Sequence, residues 1–163
     1  MPVRVLRPTR VTRELVEVTA FFEIHDSTLR EIKEGDRQVT LLLKAIRTEW
    51  ETPEMEGVGT CFTQEIELRF ADATVQREAE VPMWLLDGSF HAEMDDAKPD
   101  DAGAGDIPAS LRTARGVELR LEGMNEANQN YFSIEVHGIT MNLTTLGEPK
   151  FLQTFRSNPS NDS

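Results

Sequence analysis

The sequence predicts a mainly β protein, an antiparallel β-sandwich or a partly open β-barrel of six or seven strands with one short helix. Alternation of apolar and polar residues with a period of two dominates the chain, and the connections between the alternating segments are short. With 163 residues, of which 39% are hydrophobic, the chain is long enough for one domain with its own core. This pattern fits a sandwich and a barrel equally well.

The first strand is predicted over residues 15–25, where every second residue on one face is apolar. Residues 26–35 interrupt the alternation. There, Thr28 and Glu31 have the spacing of a capping box and Gly35 is a typical helix C-terminus. This segment is therefore predicted to form one or two helical turns.

Further strands follow in the same alternating pattern. A second long strand is predicted over residues 38–50, and residues 62–70 and 75–83 are expected to form a hairpin. The dipeptide Asp87-Gly88 is the strongest tight-turn signal and suggests a second, smaller hairpin. Near the C-terminus the alternation changes phase at His137-Gly138, which predicts a β-bulge in the last long strand.

The domain organisation follows from the segments that lack alternation. We expect a basic N-terminal arm over residues 1–13, a single β domain over 14–156, and a polar tail over 157–163. Within the domain, residues 95–110 contain five Asp and almost no bulky apolar residue. Such a segment buries too little surface to offset its ordering entropy, so a mobile acidic loop is predicted.

Charge is distributed unevenly along the chain. The arm carries four arginines at a spacing of three and no acidic residue, namely Arg4, Arg7, Arg10 and Arg13. The whole chain has 17 Lys+Arg against 29 Asp+Glu, a net charge of −12; without the four arginines, 13 against 29 gives −16. The spacing and two prolines favour a polyproline II segment with its arginines on one face. The arm is expected to bind carboxylates of a neighbouring copy, of its own body, or phosphate.

These charges restrict the class of partner. An acidic body repels nucleic-acid phosphates, so direct nucleic-acid binding by the domain is not expected. The chain shows no signal peptide and no membrane segment, so a cytoplasmic or virion location is predicted. The expected partners are copies of the chain itself, with a basic protein as the alternative. Four residues on the mixed strand faces are predicted to complete the interface with the four arginines: Leu15, Phe21, Leu42 and Trp50.

Signals for chemistry are sparse. No cofactor is predicted, and neither a phosphate loop nor a nucleophile elbow is present. Cys61 is the only cysteine of the sequence, so an internal disulfide is excluded. It is expected to be a small strand residue. The stretch with the best metal-ligand character contains His91, Glu93 and Asp95, but it leads into the predicted loop, so no metal site is assigned to it.

Taken together, the sequence indicates a non-enzymatic structural or assembly protein. We expect a subunit of a homo-oligomeric ring or tube, of the virion, phage-tail or secretion-tube type, joined by the basic arm on an acidic neighbour. One alternative is an acidic binding module that captures a basic protein, as immunity proteins and nucleic-acid mimics do. The other is a small metal-dependent enzyme or ligand-binding barrel.

Overall fold

A computed structural model describes residues 4–6, 15–52, 58–98 and 105–156 of the chain. All regular elements there are strands, and all pairings are antiparallel. The strands are β1 (Arg4–Leu6), β2 (Leu15–Gly35), β3 (Gln38–Thr52), β4 (Val58–Glu78), β5 (Met83–Asp95), β6 (Ile107–Pro108), β7 (Thr113–Asn125) and β8 (Tyr131–Arg156). Within these ranges, no helix is present that could cross a membrane.

The strands form a closed barrel rather than a sandwich. They follow the order β1-β2-β3-β4-β8-β7-β5, and β5 returns to β2 through the pairs Thr28↔Trp84 and Leu29↔Met83. This contact closes six strands, β2, β3, β4, β8, β7 and β5, into a ring, while β1 adds to the edge of β2. The prediction of an antiparallel all-β fold is therefore confirmed.

The predicted short helix is wrong, because residues 26–35 belong to β2. They pair with β3 from Thr28↔Lys44 to Gly35↔Gln38, and Leu29 is fully buried. Two irregularities in the ladder, between Glu23 and Thr28 and between Leu29 and Glu31, explain why the alternation is lost. Pairing on both edges of β2 outweighs the local capping signal, and Gly35 lies next to a hairpin turn instead of a helix C-terminus.

The core fills the barrel with large aliphatic and aromatic side chains. The largest fully buried residues come from β2 to β7 and their connections, and they include Phe22, Phe70, Leu29, Leu41, Ile66, Leu68, Met83, Leu85, Leu119 and Leu121. Burying each such side chain stabilises the fold by roughly 1.5–3 kcal/mol relative to exposure. Asp87-Gly88 forms no turn, because it lies within β5. A Cβ at Gly88 would lie 2.4 Å from the carbonyl oxygen of Arg120, so glycine permits a close approach of two strands.

The phase change predicted near His137 is real, but three strands share it. In each, consecutive inward-facing residues are three positions apart instead of two; the pairs are Phe70 and Ala73, Ala114 and Val117, and Gly138 and Met141. The registers of β4–β8 and β7–β8 do not shift there, so a β-bulge at His137-Gly138 is not the explanation. The barrel wall bends at these positions in all three strands, and we call this bend the joint kink. The φ angles of Asp72 (49°) and Gly116 (62°) are positive there.

Part of the predicted acidic loop is built into the barrel. Ile107 and Ala109 are buried, and β6 pairs with Phe21 and Phe22 of β2. Asp96 accepts hydrogen bonds from the backbone N–H groups of Arg112 and Thr113 at 2.8 and 3.0 Å. The interpretation of 95–110 as a single mobile loop is therefore too broad. The apolar side chains of Ile107 and Ala109 and the hydrogen bonds of Asp96 attach parts of this segment to the barrel. Residues 99–104 lie outside the described part of the chain.

Four strands continue beyond the barrel as an open sheet. We call this extension the wing; it consists of residues 15–23, 46–52, 58–63 and 150–156. β1 forms one edge of the wing and the C-terminal part of β8 forms the other. The wing therefore has two different edges, whereas the barrel has none.

Candidate functional site

The predicted basic arm begins as a strand of the wing. Arg4 pairs with Glu17 and Leu6 with Leu15, so β1 folds back on β2 of the same chain. For these three residues a β-strand replaces the predicted polyproline II segment, because the edge of β2 provides backbone partners. The other arginines, Arg7, Arg10 and Arg13, lie outside the described residues, as does the polar tail.

The four predicted apolar interface residues do not form one exposed patch. Phe21, Leu42 and Trp50 are half-buried, and the side chain of Leu15 is not among those described. Leu42 lies between Glu31 and Glu67 on neighbouring strands, and such neighbours cover part of its surface. These three residues are therefore only partly exposed, and their part in an interface stays a prediction.

The exposed apolar side chains lie instead on the C-terminal part of β8. Leu146, Phe151 and Leu152 are 41, 66 and 51% exposed. Phe151 contacts the buried Phe62 edge to face, with ring centroids 6.3 Å apart. In the sequence, Phe151 and Leu152 are adjacent and follow the polar stretch 147–150 near the chain end. The only signal of their exposure is that apolar and polar residues no longer alternate there while large apolar residues continue.

Among the described residues, the second edge of this segment lacks a strand partner. β7 pairs with β8 only as far as Thr113↔Asn142, and one further backbone hydrogen bond joins Leu143 N–H to the carbonyl oxygen of Arg112. Beyond Leu143, β8 pairs with β4 alone among the described strands. An edge of this kind exposes a row of unpaired backbone donors and acceptors.

A depression of mixed charge adjoins this edge. The pairing of β8 with β4 jumps from Glu65↔Leu146 to Thr63↔Lys150, so Gly147–Pro149 form a bulge in β8. The amide Nε2 of Gln64 bridges the gap by donating to the carbonyl oxygen of Gly147 at 2.9 Å. The depression has a volume of about 390 Å³. Its lining holds the cationic Arg30, Lys44 and Lys150 and the acidic Glu65 and Glu148, and Arg30 lies 3.0 Å from Glu65 in an ion pair.

The histidine stretch of β5 is only partly brought together. His91 and Glu93 line a groove of about 560 Å³ on the outer barrel wall, beside the joint kink. Asp95 is not in this lining, and its carboxylate accepts a hydrogen bond from Ala97 N–H at 3.0 Å. The predicted trio therefore does not converge. Every second residue of a strand projects from the same face of the sheet, so the three side chains lie in a row along the strand and not around one point.

Three residues from β7 and β8 converge beside the same groove, which we call the histidine groove; Glu118 and His137 line it, and Glu135 lies next to them outside its lining. His137 Nε2 lies 3.3 Å from Glu135 Oε1 and 3.6 Å from Glu118 Oε2. Glu118 pairs across the strands with His137 on one side and His91 on the other. Sequence reasoning missed this cluster, since only the β7–β8 register brings Glu118 next to His137.

The remaining reactive groups have structural surroundings. Burial raises the pKa of the Cys61 thiol, a hydrogen bond with Thr48 lowers it, and the charge of Glu23 raises it. Cys61 is thus a buried strand residue, as predicted, and a poor nucleophile. Burial also raises the pKa of Asp106, against the lowering effect of the hydrogen bond from Ile24 N–H. The pKa of Asp96 is lowered, chiefly by the hydrogen bond from Arg112 N–H.

Comparison with known proteins places this chain in no family. Family models, curated proteins and solved structures all yield no match. The function is therefore argued from the wing edges and from the charges of the outer barrel wall.

Proposed function

We propose that this protein is a non-enzymatic assembly subunit that joins copies of itself head to tail into a ring or tube. In this arrangement the free edge of β8 in one copy accepts the β1 edge of the next. The observation that supports the proposal best is the unpaired β8 edge with its exposed Leu146, Phe151 and Leu152. Strand addition satisfies backbone groups along the edge and removes apolar surface from water at the same time.

The edge of β8 is only partly protected against pairing with another copy. Proteins commonly protect edge strands with bulges, prolines and lysines, and residues 147–150 supply all three through the bulge, Pro149 and Lys150. Directly after them an apolar pair, Phe151 and Leu152, lies exposed on the same edge segment. Each new hydrogen bond contributes about 0.5–1.5 kcal/mol net, so several bonds and the apolar contact together give a stable interface.

The two wing edges are different surfaces, which favours a ring or tube over a two-fold dimer. β1 and the C-terminal part of β8 form the two opposite edges of the wing sheet. A contact between unlike surfaces repeats from copy to copy, and it either closes as a ring or continues as a helix. The same repeat places the basic arm of each copy beside a neighbouring body, and the acidic character of that body favours the contact.

A second candidate is the acidic module that captures a basic protein. The outer wall formed by β5, β7 and β8 supports it, because acidic side chains outnumber basic ones there; they include Asp87, Glu93, Glu118, Glu122 and Glu135. A basic partner would bind this wall and leave the wing edges free. Self-association and partner capture are therefore separable by experiment.

Light scattering after size-exclusion chromatography, over a range of protein and salt concentrations, tests the proposal. We expect oligomers that dissociate on dilution, and earlier at high salt because the arm contributes charge. Deleting residues 2–13 should weaken them further. A monomer at every concentration and salt level would refute the proposal.

A matched pair of substitutions locates the interface. Phe151→Lys places a charge on the free edge, and we expect the dissociation constant to rise by about tenfold or more. Met94→Lys is the control, because Met94 is 65% exposed, close to the 66% of Phe151, but lies on β5. Leu152→Lys repeats the test without disturbing the Phe62 contact. Equal effects of the Phe151 and Met94 substitutions would contradict the assignment of this edge.

A further inference from the structure

We infer that Glu118, Glu135 and His137, with His91 beside them, form a binding site for one divalent cation of the zinc type. The inference is independent of the proposed assembly, because the histidine groove lies on the barrel wall and not on the wing. Within the part of the chain that the structure describes, Glu118, Glu135 and His137 are the only three potential metal ligands whose nitrogen or oxygen ligand atoms lie within 4.8 Å of one another.

The distances within the trio match those of a zinc coordination shell. Zinc binds imidazole nitrogen at about 2.0–2.1 Å and carboxylate oxygen at about 2.0–2.2 Å, which separates two ligands of a tetrahedron by about 3.3–3.5 Å. The separations from His137 Nε2 are 3.3 Å to Glu135 and 3.6 Å to Glu118. The imidazole and both carboxylates therefore need only small movements to hold one ion.

The neighbouring groups orient the ligands. Glu135 directs Oε1 towards His137, while its Oε2 lies 3.5 Å from Arg120 Nε. Arg120 in turn contacts Glu122 through Nη2 at 3.0 Å. A carboxylate held through its second oxygen in this way is typical of metal sites, where such contacts fix the ligand geometry. The strands that carry the trio pair without a register shift, which gives a rigid base.

His91 is the candidate for a fourth donor, and its imidazole has to turn towards the trio, because it is not among the ligand atoms that already lie within 4.8 Å of one another. It lies directly across from Glu118 in the β5–β7 ladder, as His137 does in the β7–β8 ladder. Side chains directly opposite each other have Cβ atoms about 4.5–5.5 Å apart, so one row carries imidazole, carboxylate and imidazole. Two nitrogens and two oxygens favour zinc or a related transition metal, whereas calcium and magnesium prefer shells of oxygen alone.

An ordinary surface ion pair gives a different experimental result. Protonated His137 between two glutamates forms ion pairs that need no metal, and such exposed pairs contribute little to stability. The chain provides a matched control for this arrangement. His25 Nδ1 lies 3.1 Å from Asp26 Oδ2, so it is also an exposed histidine beside a carboxylate, but no second carboxylate joins it in a group of potential ligands.

Isothermal titration of the chelator-treated full-length protein with Zn²⁺ tests the site, with Mg²⁺ as the comparison ion. We expect one saturable Zn²⁺ site of micromolar or tighter affinity and no comparable Mg²⁺ binding. His137→Ala and Glu135→Gln should each weaken Zn²⁺ binding by at least about tenfold. His25→Ala should leave the affinity unchanged. Titration with Co²⁺ should give the intense visible absorption of a four-coordinate site, and His91→Ala should reduce it.

Defined outcomes overturn the inference. Absence of saturable Zn²⁺ binding to the wild-type protein refutes the site, and so does equal weakening by His25→Ala and His137→Ala. Glu135→Gln keeps the shape of the side chain, so it gives the decisive result if His137→Ala fails to fold. An unchanged affinity in a folded Glu135→Gln variant also refutes the site. Because all variants lie away from the wing, a failure here leaves the assembly proposal standing.

Discussion

The barrel and the wing are made from the same long strands but bury different kinds of side chain. Inside the barrel the inward side chains of β3, β4 and β7 are apolar apart from Gln64 and Asn125, and none of them is charged. Inside the wing the corresponding positions of β3 hold an ion pair, in which Arg47 Nε lies 2.8 Å from Glu49 Oε2. These two side chains are only 11 and 4% exposed, and Glu49 Oε1 has no hydrogen-bond partner among the described residues. An aromatic ring adjoins the pair, since the Arg47 guanidinium carbon lies 5.8 Å from the ring centroid of Phe22.

This difference shows what closure of a sheet contributes. In the barrel every strand has a neighbour on both sides, and apolar burial is the main source of stability there. The wing lacks closure and holds a charged pair whose desolvation is costly unless the partners stay together. We therefore expect apolar packing to stabilise the barrel and the ion pair to stabilise the wing, while the exposed wing edges contact other molecules.

The largest expected effect is a cavity in the barrel. Phe70 is fully buried where the wall kinks, and Phe70→Ala should lower the free energy of unfolding by about 3–5 kcal/mol. Leu152→Ala in the wing should change it by less than about 0.5 kcal/mol, because the side chain is half exposed. Urea unfolding at low protein concentration measures both values. Similar losses in the two variants would contradict the division of roles.

Breaking the wing ion pair should have a similar or slightly smaller effect. Arg47→Met leaves Glu49 buried without its cation, and we expect a loss of up to about 3–5 kcal/mol. The double variant Arg47→Met, Glu49→Leu should recover most of that loss, because no charge then remains buried. A double-mutant cycle from urea unfolding gives the coupling. Strictly additive effects would show that the two side chains do not depend on each other.

The smallest expected effect is a pair of pH dependences with opposite signs. The pKa of Asp96 is lowered from 3.8, so its stabilising contribution is present above that pH and is lost as the pH falls through the lowered pKa. The pKa of Asp106 is raised from 3.8, so its contribution is present below that pH and is lost as the pH rises through the raised pKa. Asp96→Asn should therefore destabilise the protein at neutral pH.

Asp106→Asn keeps an oxygen acceptor for Ile24 N–H without the buried charge. It should stabilise the protein at neutral pH relative to wild type, and the difference should shrink in acid. Unfolding by urea at several pH values from acidic to neutral measures both variants. Parallel pH profiles for the two variants would contradict the assigned causes.

Some features of the candidate sites are visible in the sequence and others are not. The charge of the arm and the ligand character of His91 and Glu93 are local properties of residue type, so the sequence shows them directly. The contact of His137 with Glu118 and Glu135 depends on the register between β7 and β8, which no local pattern specifies. The exposure of Phe151 depends on where β7 stops, which leaves β8 with a single neighbour.

The sequence by itself determined that this protein is an antiparallel all-β domain, because side chains in a strand alternate with a period of two and that period is a local signal. Only the tertiary structure decided that the sheet closes. Closure depends on Thr28 and Leu29 meeting Met83 and Trp84, residues far apart in the chain. The same long-range pairing drew the predicted helix into β2, because ladder hydrogen bonds and the burial of Leu29 outweigh a capping signal of about 1 kcal/mol.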